Sequence, residues 1–450
     1  MTSNSPSPRR LNVRRLAIGG SVGLVLIYLL FVSAGYLWLR HALHNERIGL
    51  VDVALCRWKE VRRTMAAEQF AAGKKAWEAK DYQAAYLALT SGVRNDPLNA
   101  AGRLLTANFL GAAGAVNLEV TLLEEGLSHT PDDPQLLEQT LALLTATGRD
   151  ARALELLRKQ YATKLTGTNG LLLRRSELLA TLNAEGATAA RQLLEKYSDL
   201  KRHHPATPVV AQVLWESQDR LAAIDLLSGF LQSQPGAYSV YAQQADWQAS
   251  MGMKIEARKT AERACAQFPS ELAPRILLIA TASPNEFEIS QRSQQEIATY
   301  LKDFADRPEA IPLLASLAGR NGWVNLAHTL YAVGADRQPN LAMLALSYSD
   351  ALARTAHLNE ARQILAQIEL QAPDGNSSFM STLRQRQIVV AAALNDHDGT
   401  REFARRLAAA LRNDPDGLEV CRRRFIQLKI PDAAAELAST TSAAKSPARK

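Results

Sequence analysis

Residues 66–99 read AAEQFAAGKKAWEAKDYQAAYLALTSGVRNDPLN, and residues 238–271 read YSVYAQQADWQASMGMKIEARKTAERACAQFPSE. Both stretches are 34 residues long and share one plan: a small residue early (Gly73, Ala245), another in the second half (Ala85, Ala257) and a proline near the end (Pro97, Pro269). The spacing recurs outside them. Pro97 and Pro131 lie 34 residues apart, as do Pro235 and Pro269, and Pro339 and Pro373. With 18 prolines in 450 residues, chance supplies fewer than about one pair at any given separation, so a period of this kind marks a repeat architecture.

Counting each proline as position 32 of its unit brings the intervening residues into phase. Position 20 is Ala85, Ala153, Ala223, Ala257, Ala327 and Ala361; position 8 is Gly73, Ala107, Ala211, Ala245, Ala315 and Ser349. Position 15 is Gly114, Gly148, Gly252 and Gly322. Small residues at positions 8 and 20 allow two antiparallel helices to approach closely. Glycine between them accepts turn angles that side-chained residues resist. Proline then ends the second helix, because it has no amide donor and disfavours helical geometry in the residue before it. Larger apolar residues such as Leu110, Leu123 and Leu127 supply the interior faces.

This pattern resembles the tetratricopeptide repeat family. The closest units are 66–99, with Gly73, Asp81-Tyr82, Ala85 and Asn95-Asp96-Pro97, and 238–271, with Ala245, Gly252, Ala257, Ala264 and Pro269. Looser units begin near Ala100, Pro134, His204, Pro308 and Ala342. The resemblance covers about 66–416 and implies an all-α fold, a right-handed superhelical solenoid of about ten helix pairs. Leu141 and Glu119 depart from the small-residue rule. Three stretches break the phase: 163–205, where a boundary between two arms would fall; 271–308, with a lengthened turn at Ser283-Pro284-Asn285; and the polar loop Asp374-Gly375-Asn376-Ser377-Ser378. The expected organisation is a basic N-terminus over 1–15, a transmembrane helix over 16–39, a helical connector over 40–65, the repeat solenoid over 66–416, a capping helix over 417–437 interrupted near Pro431, and a disordered tail over 438–450.

The transmembrane expectation rests on an uncharged, mostly apolar stretch from Leu16 to Leu39, closed by Arg14 and Arg15 on one side and Arg40 on the other. A helix of that length reaches about 36 Å, against about 30 Å of hydrocarbon. Tyr36 and Trp38 stand where an interfacial aromatic belt would be. A small-residue site at Val32-Ser33-Ala34 admits a signal peptide instead, but apolar sequence continues through Leu39. Arg9, Arg10, Arg14 and Arg15 precede the span, and only Arg40 and Arg47 follow within fifteen residues. That asymmetry places the N-terminus in the cytoplasm and the body outside the inner membrane, although Arg57, Lys59, Arg62 and Arg63 narrow it. Gly19 and Gly23 form a Gly-x-x-x-Gly pair through which two spans could form a homodimer.

Of the net charge of +7, four positive charges lie in that N-terminal arginine cluster, so the body is close to neutral. Arg422, Arg423 and Arg424 have no aromatic platform beside them, and no nucleic-acid partner is expected. Cys56, Cys265 and Cys421 are isolated and form neither a zinc ribbon nor a redox pair. No phosphate loop, His-Glu-x-x-His or nucleophile elbow is present. Asp396-His397-Asp398-Gly399 has part of a calcium-loop pattern, but Leu394 and Arg405 occupy its first and closing ligand positions. Adjacent His203 and His204 point in different directions on a helix. The expectation is therefore no enzyme, no cofactor and no metal.

What the resemblance implies is a protein-binding surface on the first helix of each pair. Carrying its groove positions over gives Lys74, Trp77, Asn108, Gln212, Trp215, Glu216, Asp246, Arg320, Asp350 and Arg354. Trp77 and Trp215 would be binding anchors or, equally, packing between repeats. The expected function is a membrane-tethered scaffold or adaptor for unidentified protein partners in an envelope assembly or secretion complex. The alternatives are a cytoplasm-facing assembly regulator and a non-catalytic subunit of a membrane enzyme complex.

Overall fold

The computed structural model describes residues 24, 26–38, 54–55, 57–167, 169–283, 289–335, 341–371 and 377–445. Among these residues the chain is all-α, with no strand. From Trp58 onward the helices fall into eleven antiparallel pairs. They are α1 (Trp58–Glu78) with α2 (Tyr82–Asn95), α3 (Ala100–Ala112) with α4 (Val116–His129), α5 (Pro134–Ala146) with α6 (Asp150–Gln160), and α7 (Gly170–Glu185) with α8 (Ala187–Lys196). Then come α9 (Thr207–Glu216) with α10 (Arg220–Ser233), α11 (Tyr238–Ser250) with α12 (Lys254–Gln267), α13 (Leu272–Ala282) with α14 (Gln291–Asp303), and α15 (Ala310–Asn321) with α16 (Val324–Ala335). The last three are α17 (Leu341–Arg354) with α18 (Leu358–Gln371), α19 (Ser377–Ala393) with α20 (His397–Ala410), and α21 (Pro415–Gln427) with α22 (Pro431–Lys445). Two compact units divide within α5, one ending at Thr140 and the other beginning at Leu141, rather than within 163–205.

The turn between partners is where the phase of the repeat becomes geometry. Lys80, Gly114, Gln218, Gly252, Gly322 and Ala356 all occupy position 15, and each has a left-handed backbone, with φ between 63° and 79°. Gly148 (71°), Asn395 (57°) and Lys429 (58°) occupy the corresponding turn of their own pairs. The turn geometry is therefore common to pairs with and without glycine, and a side-chained residue there bears a steric cost because its Cβ crowds the neighbouring carbonyl. Asp and Asn close several of the following helix starts. The side chains of Asp81, Asn99, Asp133, Asp396 and Asp414 accept from backbone N–H groups three residues on, at 2.8–3.0 Å, satisfying amides the helix leaves unpaired.

In the first unit, Ala66, Phe70, Ala85, Leu89, Phe109 and Leu110 form the core. The Phe70 ring occupies space opened by two glycines: a Cβ on Gly102 would stand 2.2 Å from it and one on Gly92 2.7 Å. Arg103, only 2% exposed, fastens this unit with polar contacts. Its guanidinium donates to the carbonyls of Leu122 (2.9 Å) and Pro97 (3.2 Å). Glu119, one of the departures from the small-residue rule, is accommodated by removing bulk opposite it: a Cβ on Gly111 would lie 2.8 Å from its Oε2. Burial raises the Glu119 pKa, because desolvation disfavours the carboxylate.

In the second unit the core runs from pair to pair. Ala211, Ile224, Leu227, Val240, Trp247 and Ala264 join α9–α12; Ile279, Tyr300, Leu314, Leu330 and Leu344 join α13–α17. The irregular stretch 163–205 holds α7 and α8 followed by two 3₁₀ turns, Ser198–Arg202 and His204–Ala206. There polar contacts supplement packing: Tyr197 donates to Glu177 at 2.8 Å, and Arg174 meets Asp199 at 2.7 Å. Where a single capping helix is expected over 417–437, the chain makes two, because Pro431 sits at a helix start, the place in a helix where proline is tolerated. The second of them continues to Lys445, into the stretch expected to be a disordered tail.

Residues 16–23, 25 and 39 of the expected membrane segment, with Gly19 and Gly23, lie outside the described residues, as does Cys56. Residues 26–38 are helical. Val32 packs with Val61 of α1, while Leu30 (69% exposed), Phe31 (77%) and Trp38 (61%) are uncovered. Among the described residues no helix is long and apolar enough to cross a membrane.

Two expectations follow from this packing. Ala356→Gly should stabilise the protein by up to about 1 kcal/mol by relieving a left-handed alanine, set against the extra freedom of glycine in the unfolded chain; thermal unfolding reads the difference, and a lower midpoint would contradict it. For Glu119 the folded pKa is raised, so the stability it allows is present below its ordinary range and lost as pH rises through the folded value. Glu119→Gln should therefore unfold at a higher temperature than the parent at pH 7, with the gap closing towards about pH 4. A gap independent of pH would remove burial of the charge as its cause.

Candidate functional site

The first helices of three successive pairs in the second unit, α11, α13 and α15, leave an open groove between them. Its main cavity, 620 Å³, is lined by Tyr238, Ala242, Gln243 and Asp246 of α11, by Ala273, Ile276, Leu277 and Ala280 of α13, and by Leu313, Leu317, Arg320 and Asn321 of α15. A second cavity of 390 Å³ shares Asp246, Leu277, Ala280 and Asn321 with it and continues to Ser250, Lys254, Ala257 and Thr281.

Small side chains account for this opening. Ala242, Ala249, Ala273 and Ala280 end at Cβ, so neighbouring helix backbones stay close while the floor remains low. Leucine supplies the apolar height. In α13 the run Ile276-Leu277-Leu278-Ile279 is four apolar residues on a helix that can bury only one side. Ile276, Leu278 and Ile279 are buried and Leu277 is left partly covered at the groove. Leu313 of α15 is 39% exposed. Charges of both signs lie along the groove: Asp246 on α11, Arg320 on α15 and Lys254 at the far end. Tyr238 stands at one end with its ring edge-on to Phe268, centroids 5.9 Å apart, and its pKa is raised by burial.

Of the ten residues expected to face a partner, the structure brings Asp246 and Arg320 together in this groove. Trp215 lies between two other groups: its ring stacks on Trp247, centroids 4.6 Å apart and planes within 3°, and the Arg220 guanidinium lies 5.1 Å from it. Gln212 accepts from Gln243 and donates to Glu216 at 3.2 Å. Asp350 holds Arg386 of the following pair through both carboxylate oxygens, at 2.8–3.1 Å; Arg354 is exposed on the same helix. In the first unit, Trp77 packs edge-on against Phe109, centroids 5.7 Å apart. Lys74 pairs with Glu78 at 4.0 Å, and Asn108 is exposed. Both tryptophans thus serve packing between neighbouring pairs.

The apolar half of the groove was absent from that expectation. Leu277 and Ala280 sit in the pair whose register the sequence breaks, so groove positions did not carry over to it. The available signal was the uninterrupted apolar run in α13. Other motifs resolve into local structure. Asp396 caps α20 through the Gly399 amide, and His203 lies 3.7 Å from Asp199. Among the described residues, no group of His, Cys, Asp and Glu is arranged to hold a metal ion.

No family model and no curated protein sequence matches the chain. Solved structures with similar architecture include a tetratricopeptide repeat protein from Parabacteroides merdae, 15% identical over 56% of this chain and 97% of that one, TM-score 0.39. Yeast Tom70 is 13% identical over 84% of this chain and 95% of its own, TM-score 0.35. The P58(IPK) TPR domain is 13% identical over 85% of this chain and 94% of that one, TM-score 0.22. At such identities and TM-scores the likeness extends to neither the family, the partners nor the activity of this chain.

Proposed function

We propose that this chain is a protein-binding scaffold whose second unit captures a partner segment in the α11–α13–α15 groove, and that its N-terminal apolar stretch tethers it to a membrane. The observation that carries the first part is the groove itself: an open cavity of 620 Å³ with Leu277 and Leu313 on its surface and Asp246 and Arg320 along its sides. Open, elongated and built on helices, it suits a peptide segment with apolar side chains, with the two charges fixing its orientation. Stacked helix pairs present such surfaces without any catalytic machinery, and no catalytic role is assigned to this chain.

The tether is supported by the uncharged length of 16–39, by the flanking arginines and by the exposed Leu30, Phe31 and Trp38. On this reading the N-terminus is cytoplasmic and the repeat units are exported beyond the inner membrane, where the scaffold would hold together components of an envelope assembly or secretion complex.

A photo-crosslinking residue at Leu313, in intact membranes, should trap a discrete protein partner, and the same group at Leu221, 60% exposed on α10, should not. Asp246→Lys with Arg320→Glu should reduce the Leu313 adduct at least tenfold, as expected when two orienting charges are reversed. Equal adducts at both positions would sink the groove as the binding surface. For placement, C-terminal reporters should be active only when exported. A reporter active in the cytoplasm would move the repeats to the other side, and loss of the protein from washed membranes would remove the tether.

A further inference from the structure

The second unit returns on itself. Gly148, Arg149, Asp150 and Arg152, at the start of α6, meet Asp414, Asp416, Val420 and Arg423, at the start of α21, across more than 260 residues of chain. Arg149 Nη2 donates to both carboxylate oxygens of Asp414, each at 3.0 Å. The Arg149 side chain is 3% exposed and that of Asp414 16%. Arg152 Nη1 donates to Asp416 at 2.7 Å, and this pair is more open, 38% and 37% exposed. Burial raises the Asp150 pKa, and the nearby Arg423 charge opposes that shift in part. The turn glycine, Gly148, admits Val420 so closely that an added Cβ would stand 3.2 Å from its methyls.

The chemistry of this seam differs from that joining successive pairs. The apolar face of α21, with Leu418, Cys421 and Phe425, is buried against its own sequence neighbours, Ile388, Leu407, Ala433 and Leu437. Toward α6, α21 presents Asp414, Asp416, Arg423 and Val420. Salt screens the half-exposed Arg152–Asp416 pair, since the screening length falls from about 8 Å at 0.15 M to about 3 Å at 1 M, and screens the buried Arg149–Asp414 pair much less. Asp414 is also engaged in capping α21, accepting from Gly417 N–H at 2.8 Å. Its position is thereby fixed whether or not Arg149 is present, so the aspartate half of the contact is ready to re-form after separation.

We propose that Arg149–Asp414 and Arg152–Asp416 form a releasable clasp that holds the second unit closed, so that the unit exchanges between a closed form and an open form separated at this seam. Opening there changes the curvature carried by every intervening pair, α7 to α20, without unpacking any of them. The device stands independently of what the groove binds.

The test uses the full chain with Cys56→Ser, Cys265→Ser and Cys421→Ala, and spin labels on Ala151→Cys and Gln427→Cys, two exposed positions flanking the seam. In low salt the label-to-label distance distribution should have one short component. Arg149→Gln with Arg152→Gln leaves the α21 cap intact and should raise the ratio of open to closed form at least tenfold, as should Arg152→Asp to a lesser degree. Raising salt to 1 M should shift the parent the same way but by less, through the exposed Arg152–Asp416 pair. Arg152→Asp combined with Asp416→Arg should restore the short component, which a merely misfolded variant would not do. An unchanged distribution in the double arginine variant, or no recovery in the charge exchange, would overturn the clasp.

Discussion

The structure depends on how closely two helices can lie side by side. In the well-phased pairs the recurring small residues are all buried: Ala107, Ala211, Ala245 and Ala315 on the first helix, and Ala85, Ala153, Ala223, Ala257, Ala327 and Ala361 on the second, are at most 1% exposed. A larger side chain at either position would push the backbones apart by the width of a methyl group or more, and interiors packed at crystal density transmit such a change to their neighbours. Repetition multiplies the constraint, since each pair is the surface on which the next one packs.

The constraint is adaptable in a specific way. Where one partner is large, the other gives up its side chain, as Gly111 does opposite Glu119 and as Gly92 and Gly102 do around the Phe70 ring. The turn tolerates more: Lys80, Gln218, Ala356, Asn395 and Lys429 adopt the same left-handed geometry as the glycines. Tertiary packing outweighs the local steric cost there, because the two helices the turn joins have only one way to meet. Close approach on one side of each pair also leaves room on the other. Further alanines, at other positions of α11 and α13, give the α11–α13–α15 groove its low floor, and Leu277 and Leu313 put apolar surface where a partner can reach it.

Charge does different work at different depths. Arg103 is buried and held by the carbonyls of Leu122 and Pro97 through its two Nη atoms, so it behaves as a fixed strut. Asp350 and Arg386 tie one first helix to the next. Arg149 and Arg152 reach across nearly the whole second unit. Contacts of the first two kinds stiffen neighbouring pairs. The third kind sets the path of all pairs between its ends, because a small rotation at each step accumulates along a solenoid.

The helix pairs, their phase and their turns were legible in the sequence, because they depend on local sterics that repeat every 34 residues: small residues where helices meet, a turn that accepts positive φ, and proline or Asp at helix ends. The same reading placed Asp246 and Arg320 on one face, since positions within a pair map directly onto helix faces. It could not place Leu277 and Ala280, which lie in a pair whose spacing is irregular, nor decide that Trp215 stacks on Trp247. Nor could it foresee that Pro431 begins a helix rather than interrupting one. Least of all could it show that Arg149 meets Asp414. That contact is the sum of many small inter-pair rotations, each set by side-chain packing, and a sum of that kind exists only in the assembled three-dimensional chain.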